Sequence, residues 1–373
     1  MILPARVIQA VRPQASPGVI AAAAVVAATF SATPFLLPDV AERLGVDIGS
    51  TGLLSAAQVG SFAVASFLSG RILRPRRRLH FGALILVGIA TLGSAVAPNF
   101  AVLLVSRLVA GIGLGMITWI AWADATRFSR GIGDVAAVAP ITATVASPPL
   151  GWLTETGGFP LVYGVLGVIA LLAVLAPVDF GDLPRVGRTV SASRSNRLAL
   201  GALLVVSMGG SAVFIFTGAA AIDVHDVSPS LVAWALSVNA ITGVIATRQT
   251  ARRGRAGWWL GGTALAALLV GTVASPLVLF LALALWGFSF WMAVPAVFKL
   301  LAEKSLVPSE RMGDAQAAMA TGRIFGPILG GLALGASSYG RLSIVGASVM
   351  LVGSVTVSII EAYRSRETPH AGG

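Results

Sequence analysis

Long apolar stretches separated by short polar connections run through the whole chain. A helix needs roughly 20 apolar residues to span the hydrocarbon core of a bilayer, and twelve stretches come near that length. They are Ser16–Leu37, Ser50–Gly70, His80–Val96, Phe100–Trp122, Asp134–Trp152, Phe159–Val178, Leu198–Ile222, Ser228–Thr247, Trp258–Val273, Leu277–Leu301, Ala315–Ala336 and Leu342–Ile360. The pattern predicts an all-α integral membrane protein with twelve transmembrane helices, of which the ninth is the shortest.

The basic residues are distributed unevenly among the connections. Twenty-two of the 26 lysines and arginines cluster at every second connection or near the two ends of the chain. The connections that alternate with these contain only two basic residues, Arg43 and Arg341. The remaining two, Arg107 and Arg323, lie inside apolar stretches. Because Lys and Arg are retained on the cytoplasmic side of a membrane, we expect both termini to be cytoplasmic. The alanine-rich composition, with more arginine than lysine, is typical of a GC-rich bacterial genome, and the membrane would then be the inner one.

Composition supports a membrane protein and excludes several other classes. Charged residues make up 11% of the chain, against about 25% in an ordinary soluble domain. The net charge of +11 would suggest a nucleic-acid partner if it lay on a soluble surface, but here it is confined to one set of connections, where it meets anionic lipid. Cysteine is absent, and the sequence contains no metal-ligand cluster, catalytic arrangement or Walker loop. It therefore predicts neither an enzyme nor a bound cofactor or metal.

The two halves of the chain resemble each other. Ser147–Trp152 matches Gly326–Gly331 at an offset of 179 residues, and Gly111 matches Gly287 at an offset of 176. The Arg-rich connection that begins at Arg71 matches a later one at an offset of 177. Near-equal offsets predict two parallel six-helix halves related by an axis along the membrane normal. We expect an N-terminal half over 1–178, a cytoplasmic linker over 179–197 and a C-terminal half over 198–373.

Several motifs make the chain similar to the major facilitator superfamily over essentially its whole length. Arg107–Gly115, an arginine followed by spaced glycines that include Gly111 and Gly113, resembles the fourth-helix motif of that family. Ser147–Phe159 resembles its fifth-helix Gly-Pro-x-x-Gly-Gly signature and the loop after it, through Pro148, Pro149 and Gly151; the counterparts in the second half are Pro327 and Gly330. The resemblance implies two halves that rock about a central site. The fifth-helix signature is associated mainly with exporters.

The connection after the second helix departs from the family pattern. Gly70 is kept, but Arg74 stands where the family has an acid that helps to lock the inner gate against helix eleven. Asp124 matches an acidic partner of the basic residues in this connection. It pairs with Arg71 or is an ordinary solvated acid, and the sequence leaves both readings open.

Two arginines and a set of aromatic and amide residues are the candidates for the substrate or coupling site. Arg107 and Arg323 lie at mid-membrane depth with no acid near the same depth to neutralise them, which favours either an anionic substrate or arginines capped by carbonyl groups. The resemblance links Arg107 to proton coupling, and it places helices one, four, seven and ten around the cavity. The remaining candidates, each of which could instead face lipid or bridge helices, are Trp119, Trp286, Phe290, Trp291, Gln58 and Asn239.

The sequence predicts a secondary active transporter that moves a small organic molecule by alternating access. Export is the leading hypothesis, with protons as a candidate coupling ion. The alternative within the same class is a carrier that takes up or exchanges organic anions held by Arg107. An alternative of another class is a non-transporting scaffold or sensor on the same fold, which the altered connection after helix two favours. The resemblance to the major facilitator superfamily implies a monomer, and we expect its partners to be the substrate and the lipid bilayer.

Overall fold

The computed structural model describes residues 15–125, 131–179, 193–247, 249, 255–303, 308–335 and 338–366; within them the side chains of 70–71, 131–134, 136, 247, 302–303, 308–313 and 365–366 are not described. The described residues form helices and no strands. The helices are α1 (Pro17–Leu44), α2 (Ile48–Ile72), α3 (Arg77–Ala95), α4 (Phe100–Ala125), α5 (Gly131–Leu172), α6 (Arg194–Phe214), α7 (Thr217–His225), α8 (Pro229–Thr247), α9 (Ala256–Thr272), α10 (Pro276–Glu303), α11 (Pro308–Leu334) and α12 (Tyr339–Arg366).

The all-α membrane fold predicted from the apolar pattern is confirmed. Ten helices in the described part of the chain are long and apolar enough to cross a membrane, and α9, with 17 residues, is a shorter apolar helix. That helix corresponds to the ninth and shortest predicted span. Side chains such as Val64, Ile89, Val105, Leu332 and Val352 are more than half exposed, which in a soluble protein would be a large unpartnered apolar surface. Here they form the surface that faces lipid.

Helix α5 contains both the fifth and the sixth predicted spans. It has 42 residues, about 63 Å at 1.5 Å per residue, which is twice the roughly 30 Å thickness of the hydrocarbon core. Gly158 interrupts it with φ 69° and ψ −163°, a conformation open mainly to glycine. Val135 and Val178 nevertheless pack in one cluster with Val19 and Ala121. The chain therefore turns back at Gly158. Residues 131–157 and 159–175 are two crossings, of which the second ends in a 3-10 turn over Ala173–Leu175.

The seventh predicted span is broken in two. The apolar pattern predicts one continuous helix over Leu198–Ile222. In the structure α6 ends at Phe214 and α7 begins at Thr217, with Phe216 at the junction. The ring of Phe216 is fully buried between α2 and α11, where it contacts the positions of Gly52 and Gly330. This buried ring stands at the break, and neither residue between Phe214 and Thr217 is a proline or a glycine.

Corresponding helices of the two halves meet in the same way. A Cβ at Gly111 of α4 would collide with the carbonyl oxygen of Gln58 on α2, and one at Gly287 of α10 would collide with that of Asn239 on α8. Both glycines thus allow close helix packing, and the two contacts occupy equivalent places in the predicted repeat. Of the linker predicted over 179–197, residues 180–192 lie outside the described part, and α6 already begins at Arg194.

The bundle has two chemically different ends. We call "basic end" the one at which Arg76–Arg78, Arg194, Arg255 and Arg364 lie, and "short-loop end" the one that carries the connections 45–47, 96–99, 226–228 and 273–275. At the basic end the carboxylate of Glu361 accepts hydrogen bonds from the backbone N–H groups of Ala256 and Gly257, at 2.6 and 3.1 Å. It caps α9, whose orphan N–H groups need an acceptor.

Candidate functional site

The two halves touch closely at the short-loop end. A Cβ at Gly52 of α2 would lie 2.7 Å from the carbonyl oxygen of Pro327 on α11, and one at Gly49 would lie 2.9 Å from that of Gly331. Gly218 of α7 packs equally closely on the backbone of α1 at Pro34. Every residue of 32–37 in α1 is buried, and so is every residue of 215–221, which covers the junction before α7 and the first five residues of α7. Backbone-to-backbone contact of this kind closes the short-loop end.

The same halves are less tightly packed toward the basic end. Along α2, the contact with α11 loosens to 3.9 Å between the Cβ position of Gly60 and a methyl group of Ile324. Between α5 and α8 lies an open apolar groove of about 240 Å³, lined by Ile141, Thr144, Val145, Ile241, Val244 and Ile245. Val145 is 70% exposed there. The halves therefore pack closely at the short-loop end and more loosely toward the basic end, and we call the looser part of the seam between them the cleft.

Arg107 lies inside the N-terminal half and does not border this cleft. Its side chain is 1% exposed, Nε donates a hydrogen bond to Ser94 Oγ on α3 at 2.9 Å, and Cζ stands 4.3 Å from the ring centroid of Tyr163 on α5. A desolvated guanidinium over an aromatic ring is a favourable cation–π pair. Both terminal nitrogens lack a hydrogen-bond partner within the described residues.

The isolated amides lie between helices of the same half. Asn239 donates to the carbonyl oxygen of Leu283 on α10 at 2.8 Å, and Thr242 on the next turn donates to that of Ala284 at 2.9 Å. Asn239 thus bridges α8 and α10, one of its two predicted roles. Gln58 is 3% exposed on α2 beside α4, and its Nε2 has no hydrogen-bond partner in the described structure.

The aromatic candidates are divided among several contacts. Trp286 is 6% exposed and meets Phe214 of α6 edge to face at 5.4 Å between ring centroids. Phe290 and Trp291 form a perpendicular pair at 5.8 Å, and the Trp291 ring covers Gly243 of α8. Trp119 is half-buried on α4. These residues do not form one aromatic box.

Arg323 differs from Arg107 in being exposed. It lies on α11 and forms no hydrogen bond or ion pair within the described residues. Its neighbours Gly322 and Gly326 pack on α6, against Leu204 and Met208, while Ile324 and Pro327 face α2. The guanidinium therefore belongs to the face of α11 that lies between α6 and α2, which are in different halves.

The remaining motif residues hold helices together. Gly113 packs on α3 at Ala83, Gly151 packs on α8 at Ala233 and Pro229, and Gly330 packs on α6 at Ala212. Pro148 and Pro149 lie within α5, where their missing N–H groups weaken the helix between the halves. Asp124 is fully buried and not solvated. The side chain of Arg71, its proposed partner, and the surroundings of Gly70 lie outside the described part of the structure.

Three functional positions were not anticipated from the sequence. Tyr163 and Ser94 enclose Arg107, although neither lies near it in the chain and no local pattern points to the contact. Glu155 of α5 accepts hydrogen bonds from the backbone N–H and the hydroxyl of Ser230 at 2.8 and 3.0 Å, and so links the halves. A signal for Glu155 existed: it is an acid in a nearly uncharged connection, and Ser230 stands at the start of an apolar stretch, where a helix N-terminus favours an anion.

Comparison with known proteins identifies the family. The sequence matches the family model of the Major Facilitator Superfamily over residues 19–331. It is 27% identical over 365 residues to a chloramphenicol resistance protein of Streptomyces lividans, covering 89% of this chain and 91% of the relative.

Solved structures with the same fold include a bacterial homologue of the human lysosomal transporter Spinster. In its inward-facing and unoccupied conformation the TM-score is 0.73, with 17% identity over 95% of this chain and 97% of that one. The human organic anion transporter MFSD10 (TETRAN) gives a TM-score of 0.63 and 16% identity over 91% of this chain and 97% of the other. At these identities the likeness concerns the fold. The family match covers most of the chain, which therefore belongs to the major facilitator superfamily of membrane transporters.

Proposed function

We propose that the protein is a secondary active transporter that exports a small organic molecule by alternating access. The observation that carries the proposal is the asymmetric packing of the halves: glycine-to-backbone contacts hold them together at the short-loop end, while toward the basic end the contacts loosen and an open apolar groove lies between α5 and α8. A rocking motion that closes the basic end and opens the short-loop end then exposes a central site to each side in turn.

The distribution of charge supports the direction. Basic residues favour the cytoplasmic side, so we assign the basic end, and with it both termini, to the cytoplasm of a bacterial inner membrane. The cleft then opens toward the cytoplasm, where an exporter takes up its cargo. Protons are the proposed coupling ion, and a monomer is the proposed functional unit, since each chain contains a complete cleft.

The relative from Streptomyces lividans suggests which cargo to test first. That protein is named for chloramphenicol resistance, and the groove of this chain is almost wholly apolar, as suits a small amphiphilic drug. Chloramphenicol is therefore the proposed first substrate. The scaffold hypothesis is less favoured, because a static scaffold does not need halves that pack closely at one end and loosely at the other.

Drug accumulation in cells tests the proposal. The protein would be produced in a bacterium stripped of its own drug pumps, and uptake of radiolabelled chloramphenicol would be followed with and without a protonophore. We expect the producing cells to hold less drug than cells with an empty vector, and the protonophore to abolish the difference. Equal accumulation of chloramphenicol and of a wider drug panel, with the protein verified in the membrane, would support the scaffold instead.

A further inference from the structure

Arg323 projects from the face of α11 that is turned away from lipid. At 100° per residue, Arg323 lies about 140° to 200° around the helix from Phe325, Ile328 and Leu332. Those three side chains are 52%, 37% and 77% exposed and form the lipid-facing side of α11. Exposure of the guanidinium therefore means exposure to the cleft. This also agrees with the high cost of a charged side chain in lipid.

The position along the helix places Arg323 at the closed end of that cleft. It lies about 16 Å from the end of α11 at Leu334, at 1.5 Å per residue, which is near half the thickness of the hydrocarbon core. One turn further on, the carbonyl of Pro327 meets Gly52 of α2 and shuts the seam between the halves. When that seam opens, the same guanidinium faces the short-loop side. A group at this point is accessible from each side in turn.

The charge of Arg323 is not neutralised within the described residues. The described acids lie toward the ends of the helices: Asp39, Glu42, Asp47, Glu155, Asp223 and Asp226 near the short-loop end, and Asp124, Asp179, Asp314 and Glu361 near the basic end. A guanidinium with five N–H donors and no acceptor of its own fits a carboxylate or sulfonate bidentately.

We propose that Arg323 binds the anionic group of the cargo, so that organic anions with an apolar body are substrates. The proposal rests on the transport function proposed above and adds a substrate class to it, since chloramphenicol carries no charge. It also moves the expected anion site from Arg107, which Tyr163 and Ser94 enclose in the N-terminal half, to the second arginine. A guanidinium that lacks a counter-charge among the described residues favours a cargo with a single negative charge.

Equilibrium binding of radiolabelled 2-naphthoate to the full-length protein in phosphatidylcholine nanodiscs tests the assignment. We expect saturable binding to the wild type that weakens about tenfold or more in Arg323→Gln, as for a lost charge-assisted hydrogen bond. Arg323→Lys keeps the charge without the bidentate geometry, so its affinity should fall between the two. Arg197→Gln, which removes an exposed arginine at the basic end of α6, should bind 2-naphthoate like the wild type. Neutral 2-naphthamide should bind equally to the wild type and to Arg323→Gln.

The outcomes separate this assignment from the transport function itself. Equal 2-naphthoate affinity in the wild type and Arg323→Gln would overturn the assignment, and so would a wild type that binds no 2-naphthoate but still exports chloramphenicol. A wild type that neither binds 2-naphthoate nor exports chloramphenicol would overturn the transport function. If Arg323→Gln does not run as a single species in gel filtration, Arg323→Lys carries the test. If phosphatidylglycerol in the nanodisc displaces 2-naphthoate from the wild type, the site belongs to a lipid headgroup and the cargo assignment is wrong.

Discussion

The carboxylate of Glu155 joins the two halves by binding the start of α8 at Ser230. One carboxylate oxygen accepts from the backbone N–H at 2.8 Å and the other from the hydroxyl at 3.0 Å. Ser230 is the second residue of α8, where N–H groups have no acceptor within the helix and the helix dipole favours an anion. The same turn of α5 is held by Gly151 against Ala233. A charged latch therefore accompanies the backbone contacts that close the short-loop end.

Removing the latch should shift the protein toward the state that is open at the short-loop end. Because the pair is exposed, we expect Glu155→Ala to cost the closed state about 1 kcal/mol at most, or up to about fivefold in population. The chain contains no cysteine, so Thr33→Cys, buried at the closed end of α1, would report opening through its rate of reaction with a membrane-impermeant maleimide. We expect Glu155→Ala to accelerate that reaction several-fold.

Glu42→Ala provides the matched control for the latch. Glu42 is an exposed acid at the same end of α1, and removing it changes the local charge by the same amount. It should leave the labelling rate of Thr33→Cys unchanged. Similar rates in Glu155→Ala and in the parent would show that the backbone contacts alone hold the closed end.

The contact between the Tyr163 ring and the guanidinium of Arg107 should stabilise the N-terminal half. The ring lies 4.3 Å from the guanidinium carbon in a desolvated setting, where a cation–π pair contributes about 2 kcal/mol. We expect Tyr163→Leu to lower the melting temperature of the purified protein markedly and Tyr163→Phe to lower it little, because phenylalanine keeps the ring. Tyr363→Leu, at a 66% exposed tyrosine of α12, should have almost no effect. A Tyr163→Leu protein as stable as the wild type would show that the ring does not stabilise the buried charge.

Added methyl groups at the helix crossings should destabilise the bundle. Gly287→Ala would place a Cβ against the backbone oxygen of Asn239, and since neither backbone can yield, α8 and α10 must move apart. Overpacking of this kind costs about 1–3 kcal/mol. Gly201→Ala, where nothing lies within 4 Å of the added atom, should instead be neutral or stabilising, because alanine is the better helix former. Thermal unfolding followed by size-exclusion chromatography compares the two; equal melting temperatures would contradict the close-packing interpretation of Gly287.

The number of crossings and the family could be read from the sequence because both depend on local quantities. Span length follows from the thickness of the bilayer, and the glycines of the fourth and tenth helices are needed wherever two backbones approach closely. Even the short ninth helix follows from counting apolar residues. The junction at Phe216 could not be predicted in this way, since the ring is held by Gly52 and Gly330, which lie more than a hundred residues away on either side.

The candidate site was harder to predict than the fold for the same physical reason. Arg107 and Arg323 look alike in sequence, each a single arginine within an apolar stretch. What separates them is the partner that folding supplies: Tyr163 and Ser94 enclose Arg107, while Arg323 keeps its exposure on the far side of α11 from Phe325 and Leu332. The hydrogen-bond acceptor of Asn239, the carbonyl oxygen of Leu283 on α10, likewise lies forty-four residues further along the chain.

The reversal at Gly158 has a consequence for how the chain enters the membrane. Its two arms are joined by a single glycine, and the N–H of Phe159 on the far side is already bound by Asp39 of α1 at 2.6 Å. There is no loop in which the translocation machinery could pause between the fifth and the sixth crossing. We expect these two crossings to be inserted together as one hairpin.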